Sequence, residues 1–159
     1  MAAFAATHQQ TDVAAFYSSL IFNYSAAITE LYGMGARKFG VINIGQIGCA
    51  PLQRLQSPTG ACADAVNALA AGFDDALRSL LASGLPHGLP GLAYSLGDLL
   101  GAQSGCQQPN STLCADRRSY LFWDYGHPTQ RGAELIATTF YDGPVRFTLP
   151  VNLKQLMLS

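Results

Sequence analysis

An α/β fold with parallel strands is the class that this sequence predicts. A first helix is indicated by apolar residues at helical spacing, and the glycines at positions 33 and 35 can end it. The run at residues 39–44 follows directly; it is short, β-branched and nearly all apolar, as in a buried strand. A helix, a tight turn and such a strand in succession favour helices layered on a sheet. The length of 159 residues suits one domain around one core.

The remaining elements follow from periodicity and from breakers. Asp12 can cap the first helix. The apolar stripe of this helix comprises Val13, Phe16, Tyr17, Leu20, Ile21, Tyr24, Ile28 and Leu31. A second stripe comprises Cys62, Ala65, Val66, Leu69, Phe73, Leu77, Leu80 and Leu81. Glycines and prolines then break the chain, residues 92–96 form a second candidate strand, and residues 97–118 are predicted to be loop. A last helix carries Ala133, Leu135, Ile136, Thr139 and Phe140, and residues 145–159 are predicted to be a C-terminal tail.

Two adjacent acids in the second helix, Asp74 and Asp75, have the residue types of a catalytic dyad. Neighbours in a helix point about 100° apart, so these carboxylates do not converge on one atom. We expect both on a solvated face with Arg78. His87 lies among glycines and prolines and is expected to be exposed, without a chemical role.

Composition excludes several classes of protein. Hydrophobic residues make up 49% and charged residues 12% of the chain, which indicates a buried interior rather than disorder. The net charge of -1, with no basic run, lacks the electrostatic signature of nucleic-acid binding. No apolar stretch has the length of a membrane span. The first ten residues lack the basic and apolar regions of a secretion signal.

The cysteines indicate disulfides rather than a metal site. Cys49, Cys62, Cys106 and Cys114 form an even set whose spacing matches no zinc pattern. Local pairs, 49 with 62 and 106 with 114, are plausible among the three possible pairings. Asn23 and Asn110 begin glycosylation triplets, of which the one at Asn110 is the better candidate. These features are typical of a secreted protein, so we expect that an N-terminal part with an export signal is missing.

The loop after the first strand, residues 45–51, contains two glycines and Pro51. Such loops commonly line the ligand crevice of an α/β sheet. Its glycines could cradle a phosphate, but neither nucleotide-binding spacing is present. We therefore predict a structural turn held by Cys49, and no cofactor.

The chemistry is carried by Asp124 and His127, three positions apart in a turn. Gly126 permits the chain to reverse, and Pro128 prevents a helix from running through. A carboxylate that accepts a ring N–H fixes the tautomer of a histidine and aims the ring as a general base. The alternative is that Asp124 only forms the turn and His127 is a surface residue, with Pro128 and Thr129 starting a helix.

Three motifs in their order resemble the plant GDSL esterase/lipases of the SGNH-hydrolase superfamily. They are Leu-Tyr-x-Met-Gly-Ala-Arg-Lys-Phe-x-Val-Ile-Asn at residues 31–43, Ile-Gly-Cys-x-Pro at 47–51 and Phe-Trp-Asp-x-x-His-Pro-Thr at 122–129. The resemblance covers nearly the whole chain. It implies a flavodoxin-like three-layer α/β/α fold, an extracellular location and hydrolysis of small carboxylic esters or acyl lipids. It also implies that His127 is the general base and Asp124 the residue that orients it.

The family's nucleophile lies in a Gly-Asp-Ser motif that this sequence lacks. Its closest imitation, residues 97–99, has Leu99 in the place of the serine, and no Gly-x-Asn-Asp motif supplies oxyanion donors. Ser95 lies on a strand and could be exposed, but nothing prepares it as a nucleophile. Ser104 follows Ala102 where a nucleophile elbow needs glycine.

We therefore expect residues 1–159 to be one partial domain, the C-terminal portion of a GDSL-type serine esterase or lipase, without the N-terminal strands and the nucleophile block. Such a chain is expected to be inactive alone, because both the nucleophile and the oxyanion donors are missing. It is also expected to be weakly soluble, with exposed strand edges. An alternative is a non-catalytic binding or regulatory protein that pairs with a full-length relative through a sheet edge. A third possibility is an esterase with a relocated serine such as Ser104.

Overall fold

The computed structural model describes residues 10–97 and 114–159 of the 159-residue chain. The elements, in order, are α1 (Gln10–Gly33), β1 (Lys38–Ile42), a 3₁₀ turn (Ile47–Cys49), α2 (Pro51–Leu55), α3 (Asp64–Ser79), a π-helical turn (Leu80–Gly84), α4 (Leu85–Gly88), β2 (Ala93–Gly97), a second 3₁₀ turn (Arg117–Ser119), α5 (Gln130–Asp142), β3 (Thr148–Leu149) and α6 (Leu153–Leu158). The predicted helices and the two predicted strands are present, with ends shifted by a few residues.

The sheet is mixed, with the strand order β1-β2-β3. Strands β1 and β2 are parallel, with Lys38 opposite Ala93 and Ile42 opposite Gly97, which confirms the predicted parallel pair. Strand β3 pairs antiparallel to β2 through Leu149 and Leu96. It was not predicted, because two residues are too few to show a strand period.

One face of the sheet packs on α1 and α3. In β1 burial alternates along the strand, so Phe39 and Val41 point into this core while Lys38 and Ile42 are exposed. The core comprises Ile28, Phe39, Val41, Phe73, Leu77, Leu81, Leu85 and Leu96. The buried residues of β1 therefore point toward α1 and α3, whereas Lys38, Gly40 and Ile42 on the other face are exposed.

The opposite face of the sheet is covered by α5 and α6, and small residues permit the close approach. A Cβ atom added to Gly97 would lie 2.8 Å from the ring of Phe140 in α5. A Cβ atom on Gly40 would lie 2.8 Å from the Leu153 side chain in α6. Helices thus cover both faces, and the three-layer α/β/α arrangement is confirmed.

The outer edge of β1 carries backbone groups that no strand of the described residues pairs. The Ala93 N–H donates to Arg37 O at 2.8 Å, and the Asn43 N–H donates to Gly97 O at 3.0 Å, so the odd-numbered residues of β1 point their backbone groups toward β2. In a parallel ladder the backbone groups of the even-numbered residues then point away from β2. Within residues 10–97 and 114–159 no strand pairs with that edge.

Residues 145–159, the predicted C-terminal tail, contain β3 and α6. Asn152 forms a capping box with Gln155 at the start of α6, and Leu156 is buried. Lys38 of β1 donates to the main-chain oxygens of Met157 and Ser159, which holds the end of the chain against the sheet. The Asn-x-x-Gln spacing is the sequence signal that could have predicted this helix.

The acids of α3 lie in different environments. Asp75 is 75% exposed at its side chain and pairs with Arg78 at 2.9 Å, as the predicted solvated face requires. For Asp74 that prediction is wrong, because its carboxylate is buried and accepts the Ile44 N–H at 2.9 Å. The chain that leaves β1 passes over α3, and Asp74 satisfies a donor there. His87 is exposed in α4, as expected.

Candidate functional site

The predicted acid and imidazole lie in a short hairpin-like loop before α5, the Asp-His loop (residues 121–129). Phe122 and Pro128 form an isolated antiparallel bridge across it. The Trp123 N–H donates to His127 O at 2.7 Å, and the Thr129 N–H donates to Leu121 O at 2.8 Å. These cross-links hold the two sides together, so the reversal is confined to the residues between them.

Asp124 organises the reversal through its carboxylate. Its Oδ1 accepts the backbone N–H groups of Gly126 at 2.9 Å and of His127 at 2.8 Å, which is an Asx-type turn. The His127 ring nitrogen Nδ1 lies 2.9 Å from Oδ1 and 2.8 Å from Oδ2. The N–H of Gly126, the N–H of His127 and the ring together lower the pKa of the Asp124 carboxyl from 3.8 to about 2.

The state of Asp124 fixes the state of His127. A carboxylate with that pKa is ionised at neutral pH and only accepts hydrogen bonds, so Nδ1 must carry the ring proton of the neutral imidazole. Nε2 then carries the lone pair. The His127 side chain is 82% exposed. Nε2 is therefore a proton acceptor with a fixed direction at the surface. Asp124 both forms the turn and hydrogen-bonds the ring.

The loop is joined to α5 at Thr129 and Gly132. The Thr129 hydroxyl accepts the Gly132 N–H at 2.9 Å and caps the helix. A Cβ atom on Gly132 would lie 2.4 Å from Leu121 O, so the loop requires glycine at this point of the helix.

A second motif supports the loop from the other side. Cys49 and Cys62 form the predicted disulfide and close a stapled turn (residues 49–62) that contains α2. The Leu52 N–H lies in the first turn of α2, where backbone N–H groups have no acceptor within the helix. It donates to Tyr125 O at 3.1 Å. The stapled turn therefore contacts the tip of the Asp-His loop.

Of the second predicted disulfide, Cys106–Cys114, only Cys114 lies in the described residues. Cys114 is disulfide-bonded. Its predicted partner Cys106 lies outside the described residues, as does the glycosylation candidate Asn110.

The serines considered as nucleophiles do not reach the ring in the described parts of the chain. Ser95 is 1% exposed and lies in the sheet under α5 and α6, so the expectation that it could be exposed is wrong. Ser104 and Leu99 lie outside the described residues. Among residues 10–97 and 114–159, the side chain that hydrogen-bonds the His127 ring is that of Asp124.

Two depressions lie on the surface of the described residues. A groove of about 410 Å³ follows the carboxyl end of β1, where Asn43, Gly45 and Asp74 are among its lining residues. A hollow of about 130 Å³ beside the Asp-His loop is lined by Arg117, Arg118, Thr129, Gln130, Arg131 and Glu134. His127 lines neither of these two depressions, and its side chain is 82% exposed.

Residues 10–97 and 114–159 contain neither a candidate metal site nor a candidate membrane span. No group of three His, Cys, Asp or Glu side chains there could hold a metal ion. Each helix in these ranges is too short or too polar to traverse a bilayer.

Comparison with known proteins agrees with the motifs. The family model described as GDSL-like Lipase/Acylhydrolase matches residues 2–140. Three curated relatives from Arabidopsis thaliana are similar over most of the chain. GDSL esterase/lipase At1g71250 is 30% identical over 90% of this chain, At1g71691 is 28% identical over 94%, and At4g16230 is 31% identical over 89%. In each case the aligned part is 46% of the relative, so the chain spans about half the length of the curated relatives it matches.

Proposed function

Because this chain belongs to the GDSL-like lipase/acylhydrolase family, we propose that its Asp-His loop serves the hydrolysis of carboxylic esters. His127 is the general base and general acid, and Asp124 orients it. The observation that carries the proposal is the contact of both Asp124 oxygens with Nδ1, at 2.8 and 2.9 Å. A surface histidine without a chemical role does not need this arrangement, which fixes the tautomer and directs Nε2 outward.

The chemistry follows from that arrangement. A serine hydroxyl attacks the ester carbonyl carbon while Nε2 takes its proton, and the ionised Asp124 stabilises the imidazolium that forms. His127 then returns the proton to the leaving alkoxide, and an acyl-enzyme remains. Water repeats the sequence: Nε2 removes its proton, the hydroxide attacks the acyl group, and the serine is released with the proton from His127.

The nucleophile is the part of the triad that this sequence does not supply. Its 159 residues contain neither Gly-Asp-Ser nor Gly-x-Asn-Asp. In our proposal the serine and the oxyanion donors come from a segment outside this sequence, and the 159 residues alone do not hydrolyse esters. Without a hydroxyl to deprotonate, the aimed imidazole has no reaction to promote.

The substrate class is a small carboxylic ester or an acyl lipid, and the location is extracellular. The substrate rests on the names of the relatives, which are esterase/lipases. The location is supported by the Cys49–Cys62 disulfide, which is typical of oxidising compartments. Glycosylation at Asn110 remains a prediction.

A second candidate is a non-catalytic partner of a full-length relative. It is favoured by the outer edge of β1, with which no strand of residues 10–97 and 114–159 pairs, since an open strand edge can accept a strand from another chain. The missing serine motif fits this role equally well, so the experiment must separate the two.

The test is a chimera in which residues 1–159 replace the aligned part of GDSL esterase/lipase At1g71250. We expect the chimera to hydrolyse p-nitrophenyl butyrate, whereas the 159-residue chain alone does not. His127→Ala and Asp124→Asn should each lower kcat of the chimera by about 10²–10⁴-fold, because proton transfer or its orientation is lost.

His87→Ala and Asp75→Asn are the matched controls, since both residues are exposed and lie outside the loop. They should leave kcat unchanged. A folded, active chimera that tolerates His127→Ala as well as His87→Ala would contradict the catalytic proposal. A folded chimera that neither reacts with a fluorophosphonate nor hydrolyses p-nitrophenyl butyrate would favour the non-catalytic role.

A further inference from the structure

Thr129 is the one buried residue between positions 120 and 131, with 3% of its surface exposed. Its hydroxyl donates to Tyr120 O at 2.8 Å and accepts the Gly132 N–H at 2.9 Å. Its backbone N–H donates to Leu121 O, and its carbonyl accepts the Ala133 N–H, both at 2.8 Å. One residue thus joins the entry of the Asp-His loop, the exit of the loop and the first turn of α5.

The His127 ring has little else to hold it. At 82% exposure the side chain is not packed in place, so its direction depends on the backbone at Asp124–His127 and on the hydrogen bonds of the Asp124 carboxylate. That backbone is a reversal closed by two cross-links, Trp123 N–H to His127 O and Thr129 N–H to Leu121 O. Movement of the loop entry relative to α5 would open both.

We propose that Thr129 is a positioning residue for the Asp124–His127 pair. Its hydroxyl ties the Tyr120 carbonyl to the first turn of α5 and so keeps the loop in the conformation that places Nδ1 on the Asp124 carboxylate. The inference deepens the proposed function and rests on it.

The Thr129 hydroxyl has two functions, donation to Tyr120 O and acceptance from the Gly132 N–H, and different substitutions remove one or both. A hydroxyl donates one hydrogen bond and accepts others, so it can serve Tyr120 O and the Gly132 N–H together. Serine keeps both functions. Aspartate caps a helix well but has no proton to donate to Tyr120 O at neutral pH, and valine of nearly the same shape does neither.

The experiment reads the tautomer of His127 in the full, oxidised ¹⁵N-labelled chain by NMR, at a pH where the ring is neutral. In wild type we expect the proton on Nδ1. Thr129→Ser should keep that signature. Thr129→Asp and Thr129→Val should lose it, with the ring averaging over both nitrogens, while cooperative melting shows that the chain remains folded. Thr139→Val is the control, because it removes a hydroxyl from the same helix, where Oγ1 donates to Leu135 O.

A wild-type signature in folded Thr129→Asp and Thr129→Val would overturn the inference. If neither variant folds, hydrogen exchange of the wild-type chain tests whether the Asp-His loop is held to α5. The amides of Trp123 and Thr129 should then be protected to the same degree as that of Ala133. Exchange of the Trp123 amide at the free-peptide rate beside a protected Ala133 would show that the loop moves independently of α5.

This readout needs no turnover, so its result is independent of the chimera assay. If activity of the chimera depends on His127 but the His127 tautomer does not change in the Thr129 variants, only the inference about Thr129 is contradicted. If the His127 tautomer changes in the Thr129 variants but activity of the chimera does not depend on His127, the proposed function is contradicted.

Discussion

The Asp124 carboxylate accepts hydrogen bonds from two backbone N–H groups and from the His127 ring, and all three favour its charged form. Stabilisation of the anion is therefore built into the local backbone and does not require burial. Asp74 is the same residue type in a different environment, since its carboxylate is buried and accepts the N–H of Ile44 in a loop. Hydrogen-bond partners, rather than residue type, separate a candidate catalytic acid from a structural one.

The pKa of Asp124 predicts a pH dependence of stability. Because this pKa is about 2 in the folded chain and 3.8 ordinarily, the contribution of Asp124 is fully present above a pH of about 4 and is lost as the pH falls toward about 2. Asp124→Asn lacks this contribution, so the difference in free energy of unfolding between wild type and variant should shrink across that window. Urea denaturation at several pH values measures it. Asp75→Asn is the control for a generic loss of charge, and an Asp124→Asn difference that does not vary with pH would contradict the assignment.

At the scale of elements, the stapled turn and the Asp-His loop support each other. Gly48, just before the disulfide, donates its N–H to the Asn67 side chain of α3 at 2.8 Å. Leu52, inside the turn, donates to Tyr125 O at the loop tip. The turn therefore connects α3 to the loop, and the disulfide limits how far it can open.

Removal of this disulfide should loosen both partners. The bridged cysteines are 13 positions apart, and a loop of that size is expected to cost the unfolded chain about 3 kcal/mol of entropy. The double variant Cys49→Ser/Cys62→Ser should lose about that much stability, and the Leu52 amide should exchange faster. Calorimetry and hydrogen exchange measure the two effects. Ala61→Ser, which adds a hydroxyl at an exposed neighbour, should change neither. Unchanged exchange at Leu52 would show that the turn holds its position without the bridge.

For the whole molecule, the feature that matters most is the outer edge of β1. Ile42 at its end is 56% exposed, next to backbone groups that no described strand pairs. An unpaired edge with exposed apolar side chains favours association with another chain. This edge is therefore the expected contact in self-association and in the proposed pairing with a full-length relative.

Substitution of Ile42 by lysine should reduce self-association, because a charge at a strand edge opposes edge-to-edge pairing. Light scattering against concentration measures association, and the melting temperature should stay close to that of wild type because the side chain is exposed. Phe22→Lys is the matched control: Phe22 is 73% exposed but lies in α1, whose backbone is already hydrogen-bonded. Equal effects of both variants on self-association would indicate nonspecific hydrophobic association rather than pairing at the strand edge.

Much of the fold was predictable from local patterns. Apolar periodicity located α1, α3 and α5, and β-branched runs located β1 and β2, since these signals are carried by residues close together in sequence. The turn around Asp124 was predictable because glycine and proline restrict the backbone locally. The pairing of Cys49 with Cys62 was one of several open possibilities, and only the folded chain selected it.

What the sequence by itself determined is the three long helices α1, α3 and α5, the parallel pair of strands and the proximity of Asp124 to His127, because each depends on neighbours along the chain. The tertiary structure alone decided that Asp74 is buried, that Ser95 is closed off under α5 and α6, and that β3 pairs with β2. Each of these depends on which distant segment packs against the residue. Asp74 is buried because the exit of β1 crosses α3, and no spacing within either segment records that crossing.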